Sequence, residues 1–488
     1  MKLSLIVLLF ALAPLVSGCG DDESPKTHDM SGGAADLGVD LAVGQALSGT
    51  RLLSGTLTLK SVTSDDYAIV TDGTGLLEAV PLAGGAAIPI DSASSSSLVI
   101  DNLVFSWSNL AVGSGAGTLV VWSAAGGVKT LAQSSYPSLV AASSDDSHVL
   151  YSDGTSADGT TTNFSIAGAD GTGAMQVLSQ KLSDQPCAPI LSSAGSRFFV
   201  SACDPPGDGG VTSAGVVAID QATGAVQSIA TNVRNYFNTD QAGTRVLTID
   251  LANKATVTLL AGGAPAMLTD AVNQALFINS GATVLYDTPA QALDRIDVGG
   301  ASPTLLQSAN VAGIDYLSYD EKLTIFHHTV DDNTSLSDLY LASLTGPSTP
   351  IVLDDQPTAI LYGDPFTDDG TQALYYTDLD ASLDTGTLNA LPVTGGTARA
   401  ITTTAWLSYA ATGGKVIYND NWVSITVGMT NTGRADLRMI DLSQATSTPV
   451  LIATQADELF SLSAERDKVV YTFSEAADKA GLYVAPVP

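Results

Sequence analysis

The chain has 488 residues, with 50 acidic side chains against 19 basic ones and a net charge of −31. A surface so negative repels phosphate backbones and anionic head groups, which argues against nucleic-acid binding and against a polybasic membrane patch. With 45% hydrophobic residues, 14% charged and 46 glycines the chain is not disordered, and the composition suits an all-β body with a large core and many tight turns.

The first segment is an address. Met1 and Lys2 give a short basic start, Leu3 to Val16 is apolar, and Val16-Ser17-Gly18-Cys19 closes the run with small residues before a cysteine. This pattern resembles a bacterial lipoprotein signal with its lipobox. The resemblance implies cleavage after residue 18 and acylation of Cys19, whose two or more acyl chains would give stable anchoring. An ordinary secretory signal with a chance cysteine is the alternative. Gly20 after Cys19 is not a retention-type Asp, so the outer membrane is the favoured destination. Downstream of Val16 no stretch approaches 18 uninterrupted apolar residues, the length that marks a membrane-spanning helix.

Residues 19–45 are polar, acidic and glycine-bearing, and read as a flexible acidic tether. Its root-mean-square reach is about 28 Å, so the body can stand clear of a lipid surface. His28 and Met30 lie in this tether and receive no role.

From residue 46 to 488 one pattern recurs ten times: a turn of Asp, Gly, Ser or Asn runs into a short apolar strand. The units are SDDYAIV (64–70), DNLVFSW (101–107), SDDSHVLY (144–151), SAGSRFFV (193–200), QAGTRVLT (241–248), SGATVLY (280–286), YDEKLTIF (319–326), TDDGTQALYY (367–376), TGGKVIY (412–418) and AERDKVVY (464–471). They are spaced by about 45 residues, the length of one four-stranded propeller blade. A second, alternating strand follows most of them, such as GTLVVWSA (117–124) or GLYVAPV (481–487), and then often a glycine turn such as Gly84-Gly85 or Gly395-Gly396. The expected fold is therefore a β-propeller of four-stranded blades, one ring being favoured over two because no Pro- or Ser-rich break divides the body. The last unit is one strand short, and residues 47–53 could supply it by pairing with 481–487, hiding a sheet edge.

The order of turn, strand and glycine turn is similar to the repeat of TolB-like and WD40-like propellers, best seen in TDDGTQALYY with GTLNALPVTGG and in SYDEKLTIF with DLYLASLTG. The resemblance implies fold but little about function, since propellers host enzymes, receptors and scaffolds. The chain lacks the α/β domain that precedes the propeller in TolB.

Few residues carry chemistry. Cys187 and Cys203 sit symmetrically about Gly195 and would face each other across a hairpin, within disulfide reach. Two buried free thiols are the alternative. His327 and His328 are adjacent on a strand, where alternation sends their rings to opposite faces, so they cannot grip one metal; a loop histidine without ligand is expected. Asp364, Asp368, Asp369, Asp378, Asp380 and Asp384 crowd one blade, and Asp153 with Asp158 another. Their spacing does not match a calcium loop, so most are expected to be turn residues, with bound calcium a minority outcome. Trp107 and Trp122 are expected in the core, whereas Trp406 and Trp422 lie near blade edges. No G-x-S-x-G, H-E-x-x-H or P-loop motif occurs.

These features point to a lipid-anchored envelope propeller that binds or scaffolds other cell-envelope proteins, with no cofactor and no metal site assigned. An enzyme of lyase or glycosidase type at the channel mouth, and a purely structural surface lipoprotein, are the alternatives.

Overall fold

Each sequence unit becomes a turn and the strand after it. Tyr67–Asp72, Leu103–Ser108, His148–Thr155, Arg197–Cys203, Arg245–Asp250, Thr283–Asp287, Leu323–Asp331, Gln372–Asp380, Lys415–Val427 and Lys468–Phe473 are these strands. Their runs are apolar rather than alternating because each belongs to a sheet covered on both faces. All six residues of Leu103–Ser108, for example, are buried. The computed structural model describes residues 48–488 except 113–114, 138, 156–160, 182–188, 204–212, 263, 270, 301, 309–310, 332–335, 347–348, 355–362, 381–384, 428–429 and 458. The described residues belong to one compact body.

In most repeats four antiparallel strands pair in chain order. The second repeat shows the rule with Ser94–Ile100, Leu103–Ser108, Gly117–Ser123 and Gly127–Ser135. Leu98 opposes Phe105, and Phe105 opposes Val121. The third strand reaches the fourth through the glycine turns: Gly84, Gly85, Gly127, Gly224, Gly262, Gly299, Gly395 and Gly396 all adopt positive φ, which glycine alone enters without a steric cost.

Four repeats depart from the rule. The fourth and fifth share Val226–Thr239, a 14-residue strand that ends one sheet and begins the next, giving seven strands in one sheet. Its register shifts between Val233 and Phe237. The eighth has three strands among the described residues, with Phe366 bridging to Ala373 where a first strand would pair. The tenth has Phe460–Leu462, Lys468–Phe473 and Gly481–Pro486 from the C-terminal end of the chain, and its outer strand is Thr50–Ser54 from the other end. Thr50 opposes Val484 and Ser54 opposes Gly481. A Cβ on Gly481 would lie 2.2 Å from the Leu53 carbonyl oxygen, so glycine is required for this approach.

The core lies between sheets. Ile69, Leu77 and Ala79 of the first repeat pack with Val104 and Trp122 of the second. Phe105, Trp107 and Leu119 meet Val149 and Tyr151 of the third, and Leu150 and Phe164 meet Phe198 and Val200 of the fourth. The succession continues through each neighbour to the ninth and tenth, where Ile417 and Leu437 meet Val469 and Tyr471. A further cluster joins Leu57, Leu59, Ala68 and Val70 to Val470 and Leu482, so the last sheet packs on the first. Antiparallel sheets stacked face to face in chain order, the last on the first, make a β-propeller. Trp107 and Trp122 fill these seams, 0% and 1% exposed. Each fully buried large apolar side chain stabilises such a seam by roughly 1.5–3 kcal/mol.

Candidate functional site on the loop face

Because strands pair in chain order, the turn from first to second strand and that from third to fourth emerge at one end of every sheet. The connections from second to third strand, and onward to the next repeat, emerge at the opposite end. The two faces of the body are therefore chemically different.

On the turn face the first-to-second turns are short and bracketed by their own side chains. Thr63 Oγ1 donates to Asp65 at 2.6 Å, Ser143 to Asp145 at 2.7 Å, Ser318 to Asp320 at 2.8 Å, Thr367 to Asp369 at 2.6 Å and Ser463 to Asp467 at 2.8 Å. The hydroxyls of Ser143 and Ser147 hold the Asp145 carboxyl down at about 2, against a small opposing effect of burial. The side chain of Lys322, with Ser318, holds Asp320 below the usual carboxylate range. Burial would raise Asp369, but hydrogen bonds from Thr367 and Thr371 outweigh it and the net shift is downward. Left-handed backbone at Asp66, Asp146, Glu321 and Arg466 completes the turns.

Several turns also hold their neighbours. Ser64 N donates to Asp101 O at 3.1 Å, Asn102 Nδ2 to Asp146 at 3.0 Å and Arg197 Nη1 to Gly243 O at 2.9 Å. Arg245 donates to Gly281 O, and Ala464 N to Asp66 Oδ1 at 2.9 Å, which carries the belt from the tenth repeat to the first.

The loop face is built from unequal connections. The second and third strands of the first repeat are joined by residues 73–76, those of the second by 109–116, and those of the tenth by 474–480. In the ninth repeat the strands themselves extend, Lys415–Val427 and Thr430–Asp441, into one long hairpin. Polar groups gather beneath these loops in three places.

Between the eighth and ninth repeats, Asp420 accepts from Thr402 Oγ1 at 2.5 Å and Thr404 Oγ1 at 2.7 Å, and pairs with Arg438 Nε at 3.0 Å. Arg438 Nη2 lies 3.6 Å from Asp436, which also accepts from Asn421 Nδ2 at 2.9 Å. Burial raises the Tyr418 hydroxyl pKa here, and Asp420 raises it further.

Between the fifth and sixth repeats Asp287, 2% exposed, accepts from Gln274 N at 2.7 Å and Asn273 Nδ2 at 3.3 Å. Burial pushes its carboxyl pKa up despite these bonds.

In the seventh repeat His327 Nδ1 lies 2.6 Å from Asp315 Oδ2. This hydrogen bond raises the imidazole pKa against the opposing effect of burial.

Side chains from the start of a repeat also cap the inner edge of the next sheet. Asn238 Oδ1 accepts from Phe277 N at 2.9 Å, Gln274 Oε1 from Ile314 N at 3.1 Å and Asp364 Oδ2 from Ala410 N at 3.0 Å. Arg466 Nη1 bridges Asp364 Oδ2 at 2.7 Å and Ala410 O at 2.8 Å.

The carboxylates that crowd the eighth repeat in sequence are dispersed in space. Asp368 and Asp369 sit in a turn on one face, while Gln372–Asp380 carries Asp378 and Asp380 to the other, about 20 Å away at the rise of a strand. Asp364 is committed to Arg466 and Ala410, and Asp158 and Asp384 lie outside the described residues. Among the described residues no group of three or more His, Cys, Asp or Glu side chains is placed to hold a metal ion. His327 is a strand residue with a carboxylate partner rather than a bare loop histidine; the partner comes from the neighbouring strand at a register shift between Ile314 and Tyr316, which alternation alone does not predict.

Cys19 and Cys187 lie outside the described residues. Cys203 ends the strand Arg197–Cys203 opposite Ala214. The preceding hairpin pairs Ala194 with Arg197, so its axis falls between Gly195 and Ser196 rather than on Gly195. Among the described residues no helix is long and apolar enough to cross a membrane.

No protein-family model and no curated protein matches the chain. Among solved structures, a dipeptidyl peptidase 4 from Porphyromonas gingivalis is similar at 11% identity and a TM-score of 0.46, over 80% of this chain and 65% of that one. A eukaryotic initiation factor is similar at 12% identity and a TM-score of 0.46, over 73% of this chain and 89% of that one. The β-propeller domain of the Trilobed protease from Pyrococcus furiosus is similar at 11% identity and a TM-score of 0.32, over 61% of this chain and 95% of that one. The sheet order and seam packing, rather than these likenesses, establish the propeller.

Proposed function

We propose that this protein is a lipid-anchored cell-envelope propeller, one ring of ten blades, whose loop face binds another envelope protein. The observation that carries the reading is the contrast between faces. The turn face is closed by hydrogen bonds within and between short turns, whereas the loop face presents connections of unequal length over buried polar clusters. A rigid frame that displays variable loops is the usual arrangement for recognition. The single ring is supported by the unbroken succession of apolar seams and by the pairing of Thr50–Ser54 with Gly481–Pro486. The strong negative charge favours a partner surface of opposite sign and an association rate that falls with salt.

Anchoring rests on the Lys2, Leu3–Val16 and Val16-Ser17-Gly18-Cys19 pattern, and its test is fractionation: Cys19→Ala should move the protein from the membrane to the soluble fraction and abolish labelling by a fatty-acid analogue. Partner binding is tested by crosslinking in intact envelopes from photoreactive side chains placed at Val112 on the loop face and at Glu465 on the turn face. Specific adducts from position 112 and none from 465 are expected; adducts from 465 alone, or from neither, would overturn the reading. A Cys187–Cys203 disulfide belongs to the same oxidising compartment. It would close a loop of about 16 residues and contribute about 3 kcal/mol, and a non-reducing peptide map shows it as one linked peptide pair.

A further inference from the structure

At the loop-face end of the seam between the first two repeats, a cavity of about 160 Å³ is lined by Lys60, Thr71, Asp72, Gly75 and the serine run 94–97. Two register breaks meet there. The pairing of Leu57–Val62 with Tyr67–Asp72 skips Lys60, passing from Leu59↔Val70 to Ser61↔Ile69. The pairing of Ser94–Ile100 with Leu103–Ser108 skips Ser95, passing from Ser94↔Ser108 to Ser96↔Trp107. A bulge re-aims the residue it expels from the ladder. Here both expelled residues line one cavity.

The walls are fixed from behind. Asp72 Oδ1 accepts from Thr74 N at 2.8 Å, Thr74 Oγ1 at 2.7 Å and Leu76 N at 3.0 Å, so its charge is held in its own turn. Ser94 N donates to Gly75 O at 2.8 Å, and Ser94 Oγ accepts from Ser106 Oγ at 2.8 Å. Lys60, by contrast, has no hydrogen bond or ion pair with any described residue, in a chain with 50 acidic side chains.

Charge selects the occupant. One ammonium and one carboxylate leave the lining neutral, while the whole molecule at −31 repels a free anion and Lys60 repels a cation. Hydroxyl donors and acceptors remain, without an aromatic wall. A volume of about 160 Å³ admits several waters or one sugar ring. We propose that this cavity binds a neutral polyhydroxylated ligand, a single sugar ring either free or at the end of a glycan, with Lys60 and the serine hydroxyls as its hydrogen-bonding partners. The inference does not depend on the protein-binding reading above. With no stacking surface, a Kd of about 1 mM is expected.

Saturation-transfer NMR on the full-length protein in detergent, against neutral hexoses, N-acetylhexosamines and a short neutral oligosaccharide, tests this, with phosphate and acetate as competitors. Transfer to at least one neutral sugar is expected, with loss of most of the signal in Lys60→Ala and in Ser95→Phe. Ser95 is exposed and outside the ladder, so the phenylalanine fills the cavity without breaking a pair. Superimposable thermal unfolding curves show that both variants fold. A stronger response to the oligosaccharide identifies a glycan end, and an equal one a free sugar; either supports the site. No transfer to any sugar, transfer unchanged in Ser95→Phe, or displacement of the sugar by phosphate or acetate would overturn it.

Discussion

The turn face and the loop face are made from the same repeats, yet they use polar residues in opposite ways. On the turn face Ser, Thr and Asp are consumed in closing a turn and bonding to the next one, as in Ser143–Asp145 or Asn102–Asp146. On the loop face polar residues sit beneath or beside connections whose lengths differ from repeat to repeat, as in Asp420–Arg438 and His327–Asp315. The lesson is that repetition is spent on stiffness at one end, which leaves the other end free to vary.

The largest effect should come from backbone approach within the turn face, where inner and outer turns differ. Gly195 and Gly243 have φ of +54° and +62°, and a Cβ on either would lie 2.1 Å from a carbonyl oxygen of the other's turn. Gly195→Val should cost more than about 3 kcal/mol by urea denaturation, since it adds a clash to a left-handed backbone. Gly84→Val, left-handed but with nothing within 4 Å of its Cβ, should cost only about 1–2 kcal/mol. Equal losses would break the distinction between inner and outer turns.

Next come the brackets and the buried acid, which respond to pH with opposite signs. Asp145 is held at about 2, so its share of stability is present above the unfolded carboxyl value and is lost as pH falls through about 2. Ser143→Ala should cost about 1 kcal/mol at neutral pH and shift that loss to higher pH. Asp287 is raised by burial, so its charged form opposes folding and stability declines as pH rises through its folded pKa. Asp287→Asn should therefore be no less stable than the parent at pH 7, with the difference shrinking in acid; a large loss at pH 7 would show that the charge itself is required.

The His327–Asp315 pair should contribute less, below about 1 kcal/mol for a partly exposed pair. Its raised pKa means that the contribution is full below the unfolded value of about 6.5 and disappears as pH rises through the folded value. Imidazole titration by NMR should give a raised value in the parent and one below the ordinary histidine value in Asp315→Asn, where only the effect of burial remains. Smallest of all, a short peptide inserted after Val112, which is 105% exposed, should change stability by less than about 0.5 kcal/mol.

Much of the propeller was legible in the chain because the repeat is local. A turn residue with positive φ, a buried central strand and a glycine hairpin recur within about 45 residues, and Trp107 and Trp122 could be placed in the core from strand context alone. Even the closing strand was marked, by a final repeat that lacks one. The candidate sites were not legible in the same way. Crowded carboxylates such as Asp369 and Asp378 part to opposite faces because a strand separates them, and Lys60 and Ser95 meet only because two ladders each skip a residue.

The amino-acid sequence by itself determined the strand units, their turns and the charge of the surface, since these follow from periodicity, backbone preference and composition. Tertiary structure decided which side chains share a seam, where the register slips and which groups lie buried together. Those depend on contacts between residues as distant as Asp66 and Ala464, and no local pattern encodes a contact whose two halves are a chain-length apart.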